Sequence, residues 1–247
     1  RRAERRRRPR TPRGRRGRPA ACWVTVGVAG VALILAAVLG AWLSERAQGP
    51  PAGPSLTQFT WSLPVGTGLD SAPVASPDGR RIAFTAVSGD GTPRMFVRSL
   101  ASRDATAVAG TDGAKQPFWS PDGLSLGFFA RGKLMKVAVT GGVPVVIGDA
   151  PDGKGGTWSP SGTIVFSPNL IFEGLAKVSA DGGPVEPAKL VDFDRDENSH
   201  RWPVFLPDGV HVLFHVRAST DERRGVYVAR IDRPASKAVH DGYDTLV

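Results

Sequence analysis

Five polar residues have types and positions that could bind a ligand: Lys115, Asp152, Lys154, His200 and Arg201. Each lies in or beside a loop that precedes a repeated turn, so a β-rich chain would bring them to one rim of a rigid scaffold. Their charges could hold a ligand through charge-assisted hydrogen bonds. The alternative is that they satisfy one another and the backbone, with His200 bonding a carbonyl of a neighbouring sheet.

An acidic stretch has part of the pattern of a calcium loop. Asp192, Asp194 and Asp196 stand at alternate positions, but an EF-hand would need Gly at 197 and Glu at 203, where the chain has Glu197 and Pro203. A looser calcium loop and a plain acidic loop between repeats are the two alternatives.

The pair His211 and His215 has the spacing of a zinc site on a helix. The stretch 210–216 alternates like a strand, on which four residues span roughly 13 Å, so the two rings cannot share one metal ion. We therefore expect no metal here and no cofactor in this chain.

One four-residue turn recurs along the chain. Ser-Pro-Asp-Gly begins at 76 and 120, Ser-Pro-Ser-Gly at 159 and Leu-Pro-Asp-Gly at 206. Proline presets φ at the second position, and glycine supplies the positive φ that lets the next strand leave in register. Because the variants keep both, the repeat indicates turn mechanics rather than a ligand site. The turn residues are Pro77, Gly79, Pro121, Gly123, Pro160, Gly162, Pro207 and Gly209.

Strand-like segments occur in the same order around each turn. A large apolar residue precedes most of the turns, and three apolar segments follow each of the first three. The segments directly after the turns are 80–86, 124–130, 163–168 and 210–216. Four strands at a period of about 40–45 residues are typical of propeller blades. The sequence thus predicts an all-β fold, a β-propeller of four-stranded blades, with about four visible and the ring truncated.

Four regions are expected along the chain. Residues 1–19 form an Arg-rich arm expected to be disordered, and residues 44–56 form a Pro/Gly linker. Between them, residues 20–43 carry no charge, which predicts one transmembrane α-helix. A cleaved signal peptide and a buried soluble helix are the alternatives. Residues 57–247 form the partial propeller.

Charge indicates the expected location and partners. Residues 1–18 hold eleven Arg and one Glu, so the rest of the chain is close to neutral although the whole carries +9. Arg before an apolar span marks its cytoplasmic side, which predicts a single-pass inner (plasma) membrane protein with an extracytoplasmic propeller. Expected partners are the lipid bilayer and an unknown extracytoplasmic ligand or protein, without nucleic acid. Small residues at 32, 36 and 40 allow a homodimer through the helix, and chance spacing is the alternative.

The repeats resemble a known family. The segments FWSPDGLSLGFFARGKLMKVAVTGG (118–142) and RWPVFLPDGVHVLFHV (201–216) are similar to TolB-like, WD-related bacterial β-propeller repeats. With the arm, the apolar segment and the linker, the chain resembles the extracytoplasmic half of bacterial transmembrane serine/threonine protein kinases. That resemblance implies a cytoplasmic kinase domain, with its ATP and magnesium ion, outside these residues.

The sequence contains no catalytic motif that would decide its function. The Gly-rich loop, V-A-I-K, H-R-D and D-F-G motifs of kinases are absent, and no hydrolase nucleophile elbow is expected. The leading hypothesis is a sensing or partner-binding domain of such a kinase. The alternatives are a membrane-anchored TolB-like scaffold for protein–protein interaction and the gating propeller of a prolyl-peptidase-type hydrolase.

Overall fold

The computed structural model describes residues 37–40, 42, 60–169 and 174–233. The chain divides into two compact units, residues 1–59 and 60–247. The described part of the second unit consists of β-strands, loops and two single-turn 3₁₀ helices, Phe193–Arg195 and Asp221–Arg223. The described residues of the first unit, 37–40 and 42, are helical.

Sixteen strands form four antiparallel sheets within the described residues. Sheet 1 contains β1 (Gly68–Leu69), β2 (Val74–Ala75), β3 (Arg81–Val87), β4 (Pro93–Ser99) and β5 (Ala105–Ala107). Sheet 2 contains β6 (Lys115–Trp119), β7 (Ser125–Ala130), β8 (Lys133–Ala138) and β9 (Val145–Asp149). Sheet 3 contains β10 (Gly156–Trp158), β11 (Thr163–Phe166), β12 (Leu175–Ser179) and β13 (Glu186–Lys189). Sheet 4 contains β14 (Glu197–Phe205), β15 (His211–Ala218) and β16 (Gly225–Arg230).

Each sheet is built from consecutive strands, as propeller blades are. Sheets 2 and 3 have four strands, which confirms the predicted propeller-like, all-β fold. Sheet 1 has a fifth because its first strand is split: β1 pairs with the end of β3 through Leu69 and Ala86, and β2 pairs with its start through Val74 and Ala83. Sheet 4 shows three strands within the residues that the structure describes.

The predicted transmembrane helix over 20–43 was wrong. Among the described residues, no helix is both long enough and apolar enough to cross a membrane. The prediction depended on the length of an uncharged run, and hydropathy measures transfer into lipid rather than the backbone conformation of the segment. Apart from the helical residues 37–40 and 42, the predicted span lies outside the described residues.

The repeated turns join the first two strands of each sheet. In all four, the glycine N–H donates to the carbonyl of the first turn residue at 2.9–3.0 Å, and the glycine φ lies between +66° and +83°. In the second turn the Ser120 hydroxyl donates to Asp122. In the fourth, Asp208 accepts the backbone N–H groups of His211 and Val210 and a bond from the His211 ring, which together lower the pKa of Asp208 to about 2. Each turn is therefore stabilised by its own local bonds.

Hydrophobic side chains form four clusters, one between each pair of neighbouring sheets and a fourth around Phe84 and Phe96 of sheet 1. Large members are Met95, Trp119 and Phe128 between sheets 1 and 2, Phe118, Phe129 and Phe166 between sheets 2 and 3, and Val165, Phe214 and Tyr227 between sheets 3 and 4. The second strands β3, β7 and β11 are buried along most of their length. They lie between two such clusters, which is why they appear in the sequence as unbroken apolar runs.

Hydrogen bonds also cross the junctions between sheets. The indole N–H of Trp119 in sheet 2 donates to the carbonyl of Val74 in sheet 1 at 3.0 Å. The ammonium group of Lys136 in sheet 2 donates to the carbonyl of Ala180, beside sheet 3, at 2.6 Å. Such bonds fix the position of one sheet on the next, which non-directional apolar packing alone does not do.

Candidate functional site

Three of the predicted rim residues occupy one equivalent position in successive sheets. Lys115 of β6 pairs with Phe129, and Arg201 of β14 pairs with His215. Lys154 precedes β10, and its N–H donates at 3.1 Å to a carbonyl just beyond the end of β11. Each of the three stands five residues before the first residue of its repeated turn. The structure therefore places one cation in or just before the first strand in each of sheets 2, 3 and 4.

A bulge follows each of these cations. The next residues, Gln116, Gly155 and Trp202, have φ values of 51°, 93° and 50°. In sheets 2 and 4 the strand pairing shifts register at this point. A residue other than glycine in this left-handed region costs about 1–3 kcal/mol and persists only where its surroundings hold it. Bulges also redirect neighbouring side chains, and they are common beside functional sites.

The bulges open onto a cavity on the axis around which the sheets are arranged. Its volume is about 290 Å³, and the first strands of all four sheets line it with residues 74–75, 116–119, 155–157 and 202–204. Trp202 and Val204 keep 49% and 56% of their surface exposed there. Each cation immediately precedes the first lining residue of its strand. We call the three cations and this cavity the axial rim.

The charged side chains of the axial rim interact with neighbouring groups. Lys154 forms an ion pair with Asp152 at 2.9 Å, and Arg201 Nε donates to the Ser199 hydroxyl at 3.1 Å. Burial lowers the pKa of Arg201, the neighbouring Arg217 lowers it further, and Asp152 raises it. Asp152 is therefore the ion-pair partner of Lys154 and a longer-range counter-charge to Arg201. The structure thus brings Asp152, Lys154 and Arg201 together.

The other two predicted rim residues have different surroundings. Lys115 is exposed at the same rim, at the start of β6. His200 is fully buried, and its Nε2 lies 2.9 Å from Oε2 of Glu197 in the same strand rather than near a carbonyl of another sheet. Its Nδ1 has no hydrogen-bond partner among the described residues. His200 is thus a core residue, and it does not line the axial cavity.

The Glu197–His200 pair also anchors the loop before β14. Glu197 Oε2 accepts the backbone N–H of Asp192 at 2.9 Å. Burial raises the pKa of Glu197, but the bonds from His200 and Asp192 more than offset this, so the pKa lies below its ordinary value. Burial lowers the pKa of His200, against the opposing effect of Glu197. Both side chains of this buried pair therefore have pKa values below their ordinary values.

The acidic loop is organised by its own backbone. Asp192 caps the first 3₁₀ helix by accepting the N–H of Asp194, and Asp196 ends it with φ of 58°. Among residues 60–169 and 174–233, no group of three or more acidic, His or Cys side chains is arranged to hold a metal ion. His211 instead contacts Asp208, and His215 packs its ring 5.5 Å from that of Trp202.

A Gly-x-Ser-x-Gly pattern is present at 123–127, although a hydrolase elbow was not expected from the sequence. It runs from the second repeated turn into β7. Ser125 N–H donates to the Ser120 hydroxyl, and its carbonyl accepts the Ser120 N–H. A nucleophile elbow requires a turn from a strand into a helix. The pattern is here part of a β-hairpin and carries no nucleophile role.

Sequence reasoning missed Gln116 and Trp202 as rim residues. Both lie between a cation and a proline, in the triplets Lys-Gln-Pro (115–117) and Arg-Trp-Pro (201–203). Alignment of the repeats on the turns already places both residues at one position, four residues before the turn. Their positive φ depends on how two strands pair, so neither triplet by itself predicts it.

Comparison with known proteins identifies the fold. No family model matches the chain. A segment of 56 residues is 38% identical to the Tol-Pal system protein TolB of Alcanivorax borkumensis, over 22% of this chain and 13% of that protein. The chain thus matches only a small part of the length of this curated relative.

Solved structures extend the likeness to most of the described residues. TolB from Acinetobacter baumannii superposes with a TM-score of 0.56 at 16% identity, over 71% of this chain and 43% of that one. A putative TolB from Agrobacterium tumefaciens gives a TM-score of 0.55 at 18% identity, over 71% and 61%. At these identities the likeness concerns the fold, and the described sheets form a TolB-like β-propeller fold.

Proposed function

We propose that this chain is a protein-binding propeller whose partner docks at the axial rim. The observation that carries the proposal is the recurrence of one cation and one bulge in three successive sheets, beside a cavity that all four sheets line. A rigid β scaffold holds these groups in fixed positions, as binding residues on loops require. Exposed Trp202 and Val204 add apolar surface of the kind that anchors protein interfaces.

The similarity to TolB supports this proposal. The curated relative is, by its name, a component of the Tol-Pal system, and a role within a system of proteins requires protein contacts. Fold likeness by itself does not assign function. The argument for this chain therefore depends on its own rim, and the similarity adds that a protein with a similar segment is named as part of the Tol-Pal system.

A finer part of the proposal concerns location and parent protein. We place the propeller outside the cytoplasm, as the sensing domain of a serine/threonine protein kinase whose catalytic domain is not in these residues. Its support is the resemblance of the repeats and of the preceding Arg-rich and apolar segments to such kinases. A kinase domain encoded in the same reading frame before Arg1 would support this assignment, and a frame without one would overturn it.

Site-specific photocrosslinking tests the protein-binding role. A benzophenone amino acid at Val204, on the axial rim, should give a discrete adduct of higher mass in the native host. The matched control is Leu124, which is 62% exposed and directly follows a repeated turn on the opposite rim. We expect an adduct from position 204 and none from 124. Equal labelling from both positions, or from neither, would contradict the proposal.

A further inference from the structure

The outer strands of sheets 1 to 3 differ in how well they are protected against pairing with another chain. Each of β5, β9 and β13 pairs on one side only, so part of its backbone N–H and C=O groups point away from the sheet. β5 is only three residues long, and β13 contains Pro187, which has no N–H to donate. Short length and proline are two common protections of an edge. β9 has five residues and no proline, so it lacks both.

The edge formed by β9 is exposed, apolar and uncharged. Val145 and Val146 each keep more than half of their surface exposed, and Val143, just before the strand, is 91% exposed. Residues 137–148 carry no charge. Among the described residues, the backbone of β9 makes no hydrogen bond outside its ladder with β8. An exposed edge of this composition is a template for pairing with another strand.

The two ends of β9 have complementary apolar shapes. Val143 protrudes before the strand, whereas a cavity of about 520 Å³ lies beside its other end, lined in part by Pro151, Val185 and Pro187. A Cβ on Gly148 would lie 2.8 Å from Val185, so the wall of this cavity adjoins the strand itself. Antiparallel pairing of two β9 strands brings the beginning of each strand beside the end of the other. The protruding valine of each copy then lies at the cavity of the other.

We propose that β9 pairs with β9 of a second copy of this chain, antiparallel and about a two-fold axis. Such an interface is self-complementary, because the same surface serves both copies. The uncharged edge meets its own copy without the repulsion that like charges on facing strands cause. An unrelated strand could pair with the backbone alone, whereas a second copy necessarily brings the valine and the cavity with it.

This pairing goes beyond the proposed function and does not depend on it. β9 is the outermost strand of sheet 2, whereas the first strands of the sheets line the axial cavity. A dimer formed through β9 therefore carries two axial rims in one assembly. A partner with two binding segments would then bind the dimer more tightly than it binds one copy, because the second contact is intramolecular.

Sedimentation velocity of the purified full chain tests the pairing. We expect a monomer–dimer equilibrium whose dissociation constant rises about tenfold or more in Val146→Lys, because lysine on an edge strand opposes pairing. Val65→Lys is the matched control, because Val65 is a fully exposed valine in a turn. It should change the dissociation constant by about twofold or less. Both variants replace an exposed valine, and far-UV circular dichroism checks that each one folds.

Photocrosslinking locates the contact. A benzophenone amino acid at Val145 of the purified chain should give an adduct of twice the chain mass, joined to residues 143–151 or 185–187 of the second copy. The same amino acid at Val65 should give none. A monomer at every concentration, equal dissociation constants in the two lysine variants, or an adduct at other residues would overturn the proposal. An adduct from position 145 that forms only in the native host, with a different protein, would also overturn it.

Discussion

His200 is buried although it lies in a polar stretch of the sequence. The loop Glu-Asn-Ser-His-Arg-Trp-Pro (197–203) contains several polar residues in succession, and a ligand role for His200 was a reasonable expectation. The structure assigns these residues to β14, whose pairing with β15 shifts register twice. Two shifts within nine residues remove the period-2 alternation from which burial could be predicted. The sequence therefore gave no indication that His200 is buried while its neighbour Arg201 reaches the surface.

Burial of His200 should make folding stability depend on pH. Because its folded pKa lies below the ordinary value of 6.5, the unfolded chain binds a proton first as pH falls below about 7. The free energy of unfolding should therefore fall on acidification from pH 7, and further below about 4.5 as the unfolded chain also protonates Glu197. Urea unfolding from pH 4 to 8 measures both steps.

Two variants separate these contributions to stability. His200→Gln should flatten the slope between pH 7 and 5, although it lowers stability by about 1–3 kcal/mol at pH 8 through loss of a buried charge-assisted bond. Glu197→Gln should keep that slope and reduce the step below pH 4.5, to which Asp208 also contributes. An unchanged slope in His200→Gln would show that another group titrates.

At the scale of elements, the strands were largely predictable and the bulges were not. Segments 124–130 and 210–216 were expected as strands, and β7 and β15 occupy 125–130 and 211–218. The repeated turns set these bounds, because proline and glycine define where a strand begins. A bulge depends on how two strands pair, so Gln116 and Trp202 could be placed only after the register was known.

Gly127 of β7 illustrates how packing between sheets constrains an element. The ring of Phe118 occupies the space that a Cβ at position 127 would need. We expect Gly127→Ala to lower the free energy of unfolding by about 1–3 kcal/mol, the usual cost of overpacking. Gly68→Ala is the matched control, because a Cβ there meets nothing within 4 Å. The measurement is chemical denaturation of both variants.

A second substitution identifies the cause of this loss. Phe118→Leu combined with Gly127→Ala should recover part of the stability, because the smaller side chain releases the space. If the loss is the same with either residue at 118, the clash with Phe118 does not explain it.

At the scale of the molecule, the repeat period predicted the number of sheets. Four turns indicated four blades, and four sheets are present in the described residues. Composition gave no comparable information for residues 20–43, where an apolar run predicted a membrane span that the described residues do not contain. The repeat period reflects the packing of one repeat on the next, and it therefore predicts the arrangement of the sheets. Hydropathy reflects only the transfer of a segment from water to lipid, and it does not predict how the sheets are arranged.

Because each sheet contacts its neighbours, stability should be distributed junction by junction. Trp119→Phe removes the indole bond to the Val74 carbonyl, at about 0.5–1.5 kcal/mol. Amide hydrogen exchange should then accelerate mainly in β3 to β5 of sheet 1, with sheet 4 unchanged. Trp158→Phe, at the equivalent position of sheet 3, is the control. Uniform acceleration across all four sheets would show instead that they unfold as one unit.

The placement of the rim cations also matters for how such a chain can evolve. Each cation lies one residue outside the cavity wall, and the turns and apolar clusters that hold the sheets do not include it. Lys115 is exposed and the other two are half-buried, and substitutions outside the core usually change stability by about 0.5 kcal/mol or less. Mutation could therefore exchange or reverse the charges one sheet at a time while the scaffold keeps its stability. Lineages carrying the same propeller could diverge in partner choice through as few as three codons.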